Sequence, residues 1–168
     1  SHESLLAGKY FNTFSMISIR RSVLDKIGTL DSNLLIFADY DIIARMVSFN
    51  IKHRFLDEHL TIYRIHNKNM SSLLSSAKRR AEDLEKITTK YAKTFNNNRK
   101  SLSHVHHAIG SLYLFTGDTK LAVKHYKIAL SNNRLSILMY IRILFAYFGQ
   151  RPYRIFRSIK KITSRNIS

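Results

Sequence analysis

The chain has no cysteine. Disulfides are excluded, and so are Cys-ligated zinc and iron–sulfur sites. That suits a reducing compartment. Proline occurs once and glycine five times in 168 residues. Breakers are therefore scarce, and long regular elements, helices above all, are expected. Acidic residues number 11 against 28 Lys plus Arg, a net charge of +17. Long apolar runs are missing too. The longest, "ILMYIRILFAYF" from Ile137 to Phe148, has 12 residues and contains Arg142. A bilayer span needs about 20, so a buried or interfacial helix is expected there. No Gly-rich phosphate loop is present. The first residue is not Met, and the sequence opens inside what reads as an ordered segment. It therefore reads as a piece of a longer protein. What is there in quantity is hydrophobic residues, at 45%, enough for a core.

The positive charge is unevenly spread. Residues 1–70 hold nine Lys/Arg and seven Asp/Glu, a net +2, whereas residues 71–168 carry +15. The break suggests two units with different surroundings. In the first, "FSMISIRRS" (Phe14 to Ser22) alternates like a strand. "SVLDKIG" reads as a short helix capped by Ser22, with Asp25 three residues on and Gly28 at its end. "TLDSNLLIFA" reads as a loop. Asp39 then precedes an apolar-faced helix, "YDIIARMVSFN", which Asn50 can end. "KHRFLDEHLTIYRIH" reads as one or two strands about a turn near Asp57–His59. The order is β-α-α-β-β, too little to close a sheet by itself.

From Ser71 to about Lys93 the texture is helical, with Leu73, Leu74, Ala77, Ala81, Leu84, Ile87 and Tyr91 in register. "NNNRKS" breaks it. Helices are expected near 101–116, 119–131 and 134–148, and a last one from about Pro152 to Ile162. Within "HHAIGSLYLFTGDTKLAVKHYKIALSNN", Gly110, Tyr113, Ala122, Tyr126 and Ala129 fall at the spacings of a tetratricopeptide helix pair, with "TGD" as its turn. One such unit is visible, at about 101–131.

"FADYDIIARM" sets Asp39 and Asp41 at the mouth of an apolar helix in a chain poor in acids. A carboxylate there is aimed by backbone donors and favoured by the helix dipole, which suits a general base. The bland readings stand beside that one. Asp39 is then an N-cap, and Asp41 a first-turn partner of Arg45 at i+4. Arg64 and His66 alternate on an extended segment and point the same way, toward one anionic target; His66 also reads as an ordinary surface histidine. The "HVHH" run, His104 to His107, lacks an acidic or Cys partner nearby, so no metal site is assigned.

Taken in order, Arg20-Arg21, Gly28, Leu30-Asp31, Ala38-Asp39-Tyr40-Asp41, Arg45 and Tyr63-Arg64-Ile65-His66 resemble the C-terminal half of a family 2 glycosyltransferase of the GT-A fold. The resemblance covers about residues 3–72. It implies an α/β fragment over 1–70, the acceptor-side edge of a GT-A domain. A basic all-α accessory bundle over 71–168 would follow, with its TPR-like pair, so the whole is mostly α. It implies inverting transfer of a sugar from a nucleotide-sugar to a glycan or lipid-linked acceptor. Asp39 would be the catalytic base, Asp41 the secondary carboxylate, and Arg64 and His66 would lie near the diphosphate and metal. The divalent metal, Mg or Mn, would take its main ligands from an Asp-x-Asp motif before Ser1, in a nucleotide-binding half this chain lacks. One departure is Ala38, where the family usually has an acid.

The last segment, "RPYRIFRSIKKITSR", gathers Tyr153, Ile155, Phe156, Ile159 and Ile162 on one side and Arg154, Arg157, Lys161 and Arg165 on the other. With Lys160, this is the pattern of a helix lying on an anionic membrane surface. Nucleic acid fits less well, because aromatics and cations segregate instead of interleaving. A cytoplasmic protein, peripheral on the cytoplasmic face of the membrane, is the expectation. The rival is a non-catalytic, TPR-like interaction module in which "DYD" is only a cap, and nucleic acid is its candidate partner.

Overall fold

Helical periodicity dominates the chain after residue 76, and helices are what form there. A computed structural model describes residues 1–7, 14–34, 36–62, 64, 76–134 and 136–149. The helices are α1 (His2–Leu6), α2 (Arg21–Ile27), α3 (Ala38–Ser48), α4 (Ala77–Lys90), α5 (Ala92–Asn96), α6 (Arg99–Thr116), α7 (Thr119–Asn132) and α8 (Ile137–Tyr147). The described residues are mostly helical and contain no strand. No helix among them is long and apolar enough to cross a membrane.

Where strands were expected, the structure differs. Phe14–Met16 forms a single 3₁₀ turn, residues 17–20 run without regular structure, and α2 starts at Arg21. Residues 51–62 are likewise irregular. Alternation gives a segment a strand's side-chain pattern, but a strand also needs a neighbour to fill its backbone hydrogen bonds. Between the two segments the Thr61 hydroxyl donates to the Ser15 carbonyl at 3.4 Å, a side-chain bond and not a ladder bond. The α/β fragment expected over 1–70 therefore gains no support from the described residues, which form no sheet. The segment from Pro152 to Ile162, and Arg165 after it, which together hold all of the expected membrane-surface residues, lie outside the described residues.

Helix ends moved by a residue or two. Arg20, not Ser22, stands at the N-cap of α2, with no side-chain cap, and Asp25 pairs with Arg21 at 3.0 Å. The helix of the acid pair begins at Ala38 with Phe37 as N-cap, so Asp39 lies inside the first turn and is not the cap. Its far end behaves as expected. Asn50 takes φ 53°, and the Asn50 and Ile51 N–H groups donate back to the Val47 and Met46 carbonyls at 3.0 and 2.9 Å. That pair of bonds satisfies two otherwise orphaned carbonyls. The expected helix over 71–93 is interrupted at Tyr91, whose φ of −113° and ψ of 35° divide α4 from α5.

The hairpin of α6 and α7 forms where its spacing placed it. Gly117, at φ 93°, lets Asp118 N–H reach the Tyr113 carbonyl at 2.9 Å. Asp118 then caps α7, its carboxylate accepting from Leu121 N–H at 3.0 Å. The two helices run antiparallel. Ser103 donates to the Ala129 carbonyl, while near the turn Gly110 faces Ala122 and Tyr126. A methyl group at Gly110 would lie 2.8 Å from the Tyr126 ring and 3.1 Å from the Ala122 carbonyl. Only a residue without Cβ permits that approach, and Tyr126 is fully buried because of it.

One hydrophobic core runs from α1 to α8. Leu6 and Tyr40 from the first 70 residues meet Phe95, and the Tyr40 hydroxyl donates to the Leu6 carbonyl. Ser101, on α6, donates to the Glu3 carbonyl at 2.9 Å. Each fully buried large side chain contributes roughly 1.5–3 kcal/mol. Apolar contact thus holds the N-terminal elements on the bundle, and polar contacts fix how they sit.

Candidate functional site

Two acids at the same helix mouth meet opposite surroundings. α3 buries Tyr40, Ile42, Ile43, Ala44, Met46 and Val47, and this sets its rotation. Asp41 falls on the buried side and is 0% exposed, while Asp39 is half-buried. Asp41 pairs with Arg45 one turn on, as the i+4 spacing suggested. It also accepts from Lys90 at 3.1 Å and from the Tyr91 hydroxyl at 2.9 Å. Lys90 in turn holds Asp31 at 2.9 Å. A buried carboxylate costs several kcal/mol to desolvate, and three donors are what make it tolerable.

Arg45 is structural. Its Nη1 donates to the Ile27 and Thr29 carbonyls at 2.9 and 2.8 Å, bracketing Gly28 at the end of α2, and its Nε donates to the Tyr91 hydroxyl at 3.2 Å. One guanidinium therefore ties α2, α3 and the α4–α5 joint together. The hydrogen bond from Lys90, then the Asn33 backbone N–H, holds Asp31 at a pKa of about 2. Burial opposes the charge of Lys90, yet its bonds to Asp31 and Asp41 raise its pKa overall.

Asp39 is different. Its carboxylate accepts one short bond, from Tyr40 N–H at 2.7 Å. Burial pushes its pKa up, and that bond together with one from its own backbone N–H only partly opposes the rise. No cation among the described residues pairs with it. Phe37 stands beside it, edge-on to Tyr40 and under the Arg80 guanidinium. Behind the preceding loop, the buried Asp83 of α4 accepts from Ile36 N–H at 3.0 Å. The helix mouth is thus held from both sides, and Asp39 is the acid of the pair that no cation neutralises.

Arg64 is exposed, and His66 and Tyr63 lie outside the described residues. The "HVHH" run splits by helix geometry. His104 faces solvent, while His106 turns to His125 of α7, with Nδ1 to Nδ1 at 2.9 Å. His125 Nε2 lies 2.8 Å from Glu85 of α4, and the Tyr113 hydroxyl donates to the other Glu85 oxygen at 2.7 Å. Glu85 must accept, so neutral His125 carries its proton on Nε2. Its Nδ1 then accepts from His106 Nδ1–H. Desolvation holds both rings neutral, His106 at a pKa of about 4. Among the described residues, no group of three or more His, Asp or Glu is arranged to hold a metal ion.

Sequence reading missed Lys90, Tyr91, Glu85 and His125. The side-chain hydrogen-bond partners of Lys90, Tyr91 and Glu85, His125 among them, stand between 28 and 59 residues away. No local spacing signals such contacts. Only the Asp41–Arg45 pair carried one. No family model, curated protein or solved structure matches the chain.

Proposed function

We propose that the chain is the acceptor-side part of an inverting glycosyltransferase with Asp39 as its general base. The observation that carries this is the division of labour between Asp39 and Asp41. Asp41 is neutralised by Arg45, Lys90 and Tyr91. Asp39 is half-buried, aimed by one backbone N–H, and raised in pKa by burial. A raised carboxylate is the stronger proton acceptor, provided it is still ionised at working pH. In the reaction, Asp39 takes the proton from an acceptor hydroxyl. That oxygen forms the bond to the anomeric carbon as the bond to the nucleoside diphosphate breaks, and the leaving group carries off the electron pair. Arg64 and His66 would supply cationic stabilisation to the departing diphosphate.

The acceptor class is a glycan or lipid-linked sugar, and the donor a nucleotide-sugar. The described residues offer no ligand set for a divalent metal. The base step assigned to Asp39 needs none, and the reading assigns a metal to a donor-binding half encoded before Ser1. Ala38, in place of a second acid, leaves the step intact if a single carboxylate suffices.

The spacing of Gly110 against Tyr126 also favours a second reading, an interaction module built on the α6–α7 hairpin. Sequence encoded before Ser1 separates the two. A β/α half ending in an Asp-x-Asp motif supports transfer, and further helical repeats support the module. The direct test is Asp39→Asn in the enzyme that includes the upstream half. Turnover should fall roughly 10²–10⁴-fold with donor affinity unchanged. Turnover within a few fold of wild type would overturn the assignment.

A further inference from the structure

We propose that the outer face of α8 is a membrane-contacting surface, laid against an anionic bilayer and drawn there by the cationic C-terminal third of the chain. α8 is built the wrong way round for a helix bathed in water. Its outward side chains are Ile137, Tyr140, Ile141, Leu144, Tyr147 and Phe148, several of them strongly exposed: 75% at Ile137, 69% at Tyr147 and 71% at Phe148. They recur at i, i+3, i+4, i+7, i+10 and i+11, which on a helix is one continuous stripe about 120° wide. The one charge on the helix, Arg142, turns inward and donates from Nη1 to Ser111 of α6 at 2.8 Å. Met139 and Ala146 fill the inner face. No described element covers the stripe. An apolar patch of this size on a folded surface marks a contact site.

Charge selects the occupant. From residue 119 to the end there is no Asp or Glu, against 11 Lys and Arg. Six of those cations follow Gly149 directly, within the last 19 residues. An apolar groove on a protein partner would use the stripe and waste the cations, and a nucleic acid would use the cations and waste the stripe. An anionic bilayer uses both: acyl chains and interface for the stripe, headgroups for the cations. Tyr140 and Tyr147, seven residues apart on one edge of the stripe, suit the headgroup level, where tyrosine places its ring in the apolar zone and its hydroxyl in water. The surface does not depend on the transfer chemistry proposed for Asp39.

The chain contains no Trp, so Leu144→Trp gives a single reporter at an exposed position. In the full chain its emission should be that of a solvated indole. It should shift to the blue on vesicles containing phosphatidylglycerol, and the shift should weaken as salt is raised. Neutral phosphatidylcholine vesicles should bind at least about tenfold more weakly. The triple variant Ile141→Gln, Leu144→Gln, Phe148→Gln changes only exposed side chains. It should keep the helical circular dichroism of the parent while losing at least about tenfold in vesicle partition. Unchanged partition of that variant would overturn the proposal, as would equal binding to neutral and anionic vesicles. Emission already blue-shifted without lipid would also overturn it, because the stripe would then be covered by other residues of the chain or by a second copy. So would tight binding to RNA with no response to anionic vesicles.

Discussion

α4 carries two polar networks, and they are made of different chemistry. Toward α3 it offers Lys90, which with Arg45 and Tyr91 surrounds Asp41 and reaches Asp31. Toward the α6–α7 hairpin it offers Glu85, which holds His125 and Tyr113, with His106 behind. The first joins carboxylates to cations; Lys90 holds Asp31 near a pKa of 2, and the pKa values of Lys90 and Arg45 are raised. The second keeps its histidines neutral by burial. One helix is therefore fastened to its neighbours by an ionic joint on one side and by a joint with neutral histidines on the other. Both contacts link segments far apart in sequence, and the second holds the histidines that burial keeps neutral.

The comparison breaks most severely at Asp41. Asp41→Ala leaves the largely buried Arg45 without its carboxylate, while the partly exposed Lys90 keeps Asp31. Losing one partner of a buried ionic cluster costs about 3–5 kcal/mol. Urea unfolding should show that loss as a lower midpoint, with α3 losing its grip on α4. A loss under about 1 kcal/mol would mean that the cations re-solvate easily and that the joint is held by apolar packing alone.

How much of this was legible follows from where each partner sits. The bundle was readable because helices are local. Apolar spacing, the Gly117 turn and the close approach at Gly110 all lie within one hairpin, and three helices came within three residues of their expected ends. The α3 helix and the Asn50 stop were readable for the same reason. The expected strands failed because their pairing depends on backbone neighbours that alternation in a single segment cannot supply. Within the acid pair, spacing gave Asp41 its Arg45, but nothing near residue 41 points to Lys90 or Tyr91. The surroundings that separate Asp41 from Asp39 were therefore invisible, although the asymmetry between two acids at one helix mouth could be suspected. His125 offered no signal at all; a lone histidine on a helix gains its role only from what packs against it.

Acid should separate the two joints. The folded pKa of His106, about 4, lies below its ordinary value of 6.5. Its largest cause is desolvation, with His125 adding repulsion, Glu85 opposing and Lys124 reinforcing. Between pH 6.5 and 4 the unfolded chain binds more protons than the folded one, so stability falls as pH falls through that window. The ring is only partly buried, and screening reduces the effect to about 1–2 kcal/mol. His106→Gln should flatten the stability profile from pH 7 to 4.5, whereas Asp31→Asn should leave that window unchanged. Asp31 has the opposite place on the scale: its depressed pKa adds stability above about pH 4 that is lost only toward pH 2. An unchanged slope in the His106 variant would show that the neutral joint is not the acid-sensitive one.

The smallest effect tests the acid pair itself. The pKa of Asp39 is raised, chiefly by burial, so ionising it opposes folding. For a raised carboxylate the folded state binds the extra proton. The stability cost appears as pH climbs from the ordinary value of 3.8 through the raised one, and it is fully present at neutral pH. Asp39→Asn removes that cost and keeps an oxygen for the Tyr40 N–H. It also gives up a negative charge in the first turn of α3, worth about 0.3–1 kcal/mol. The two nearly cancel, and partial exposure shrinks both. Thermal unfolding of Asp39→Asn should therefore stay within a few tenths of a kcal/mol of wild type, on the stabilising side, while Asp41→Asn falls well below it. That ranking is what the general-base reading expects, because a base is placed for the acceptor hydroxyl and not for the fold. If Asp39→Asn lost as much stability as Asp41→Asn, Asp39 would be another strut of the ionic joint, and the general-base assignment would lose its main support.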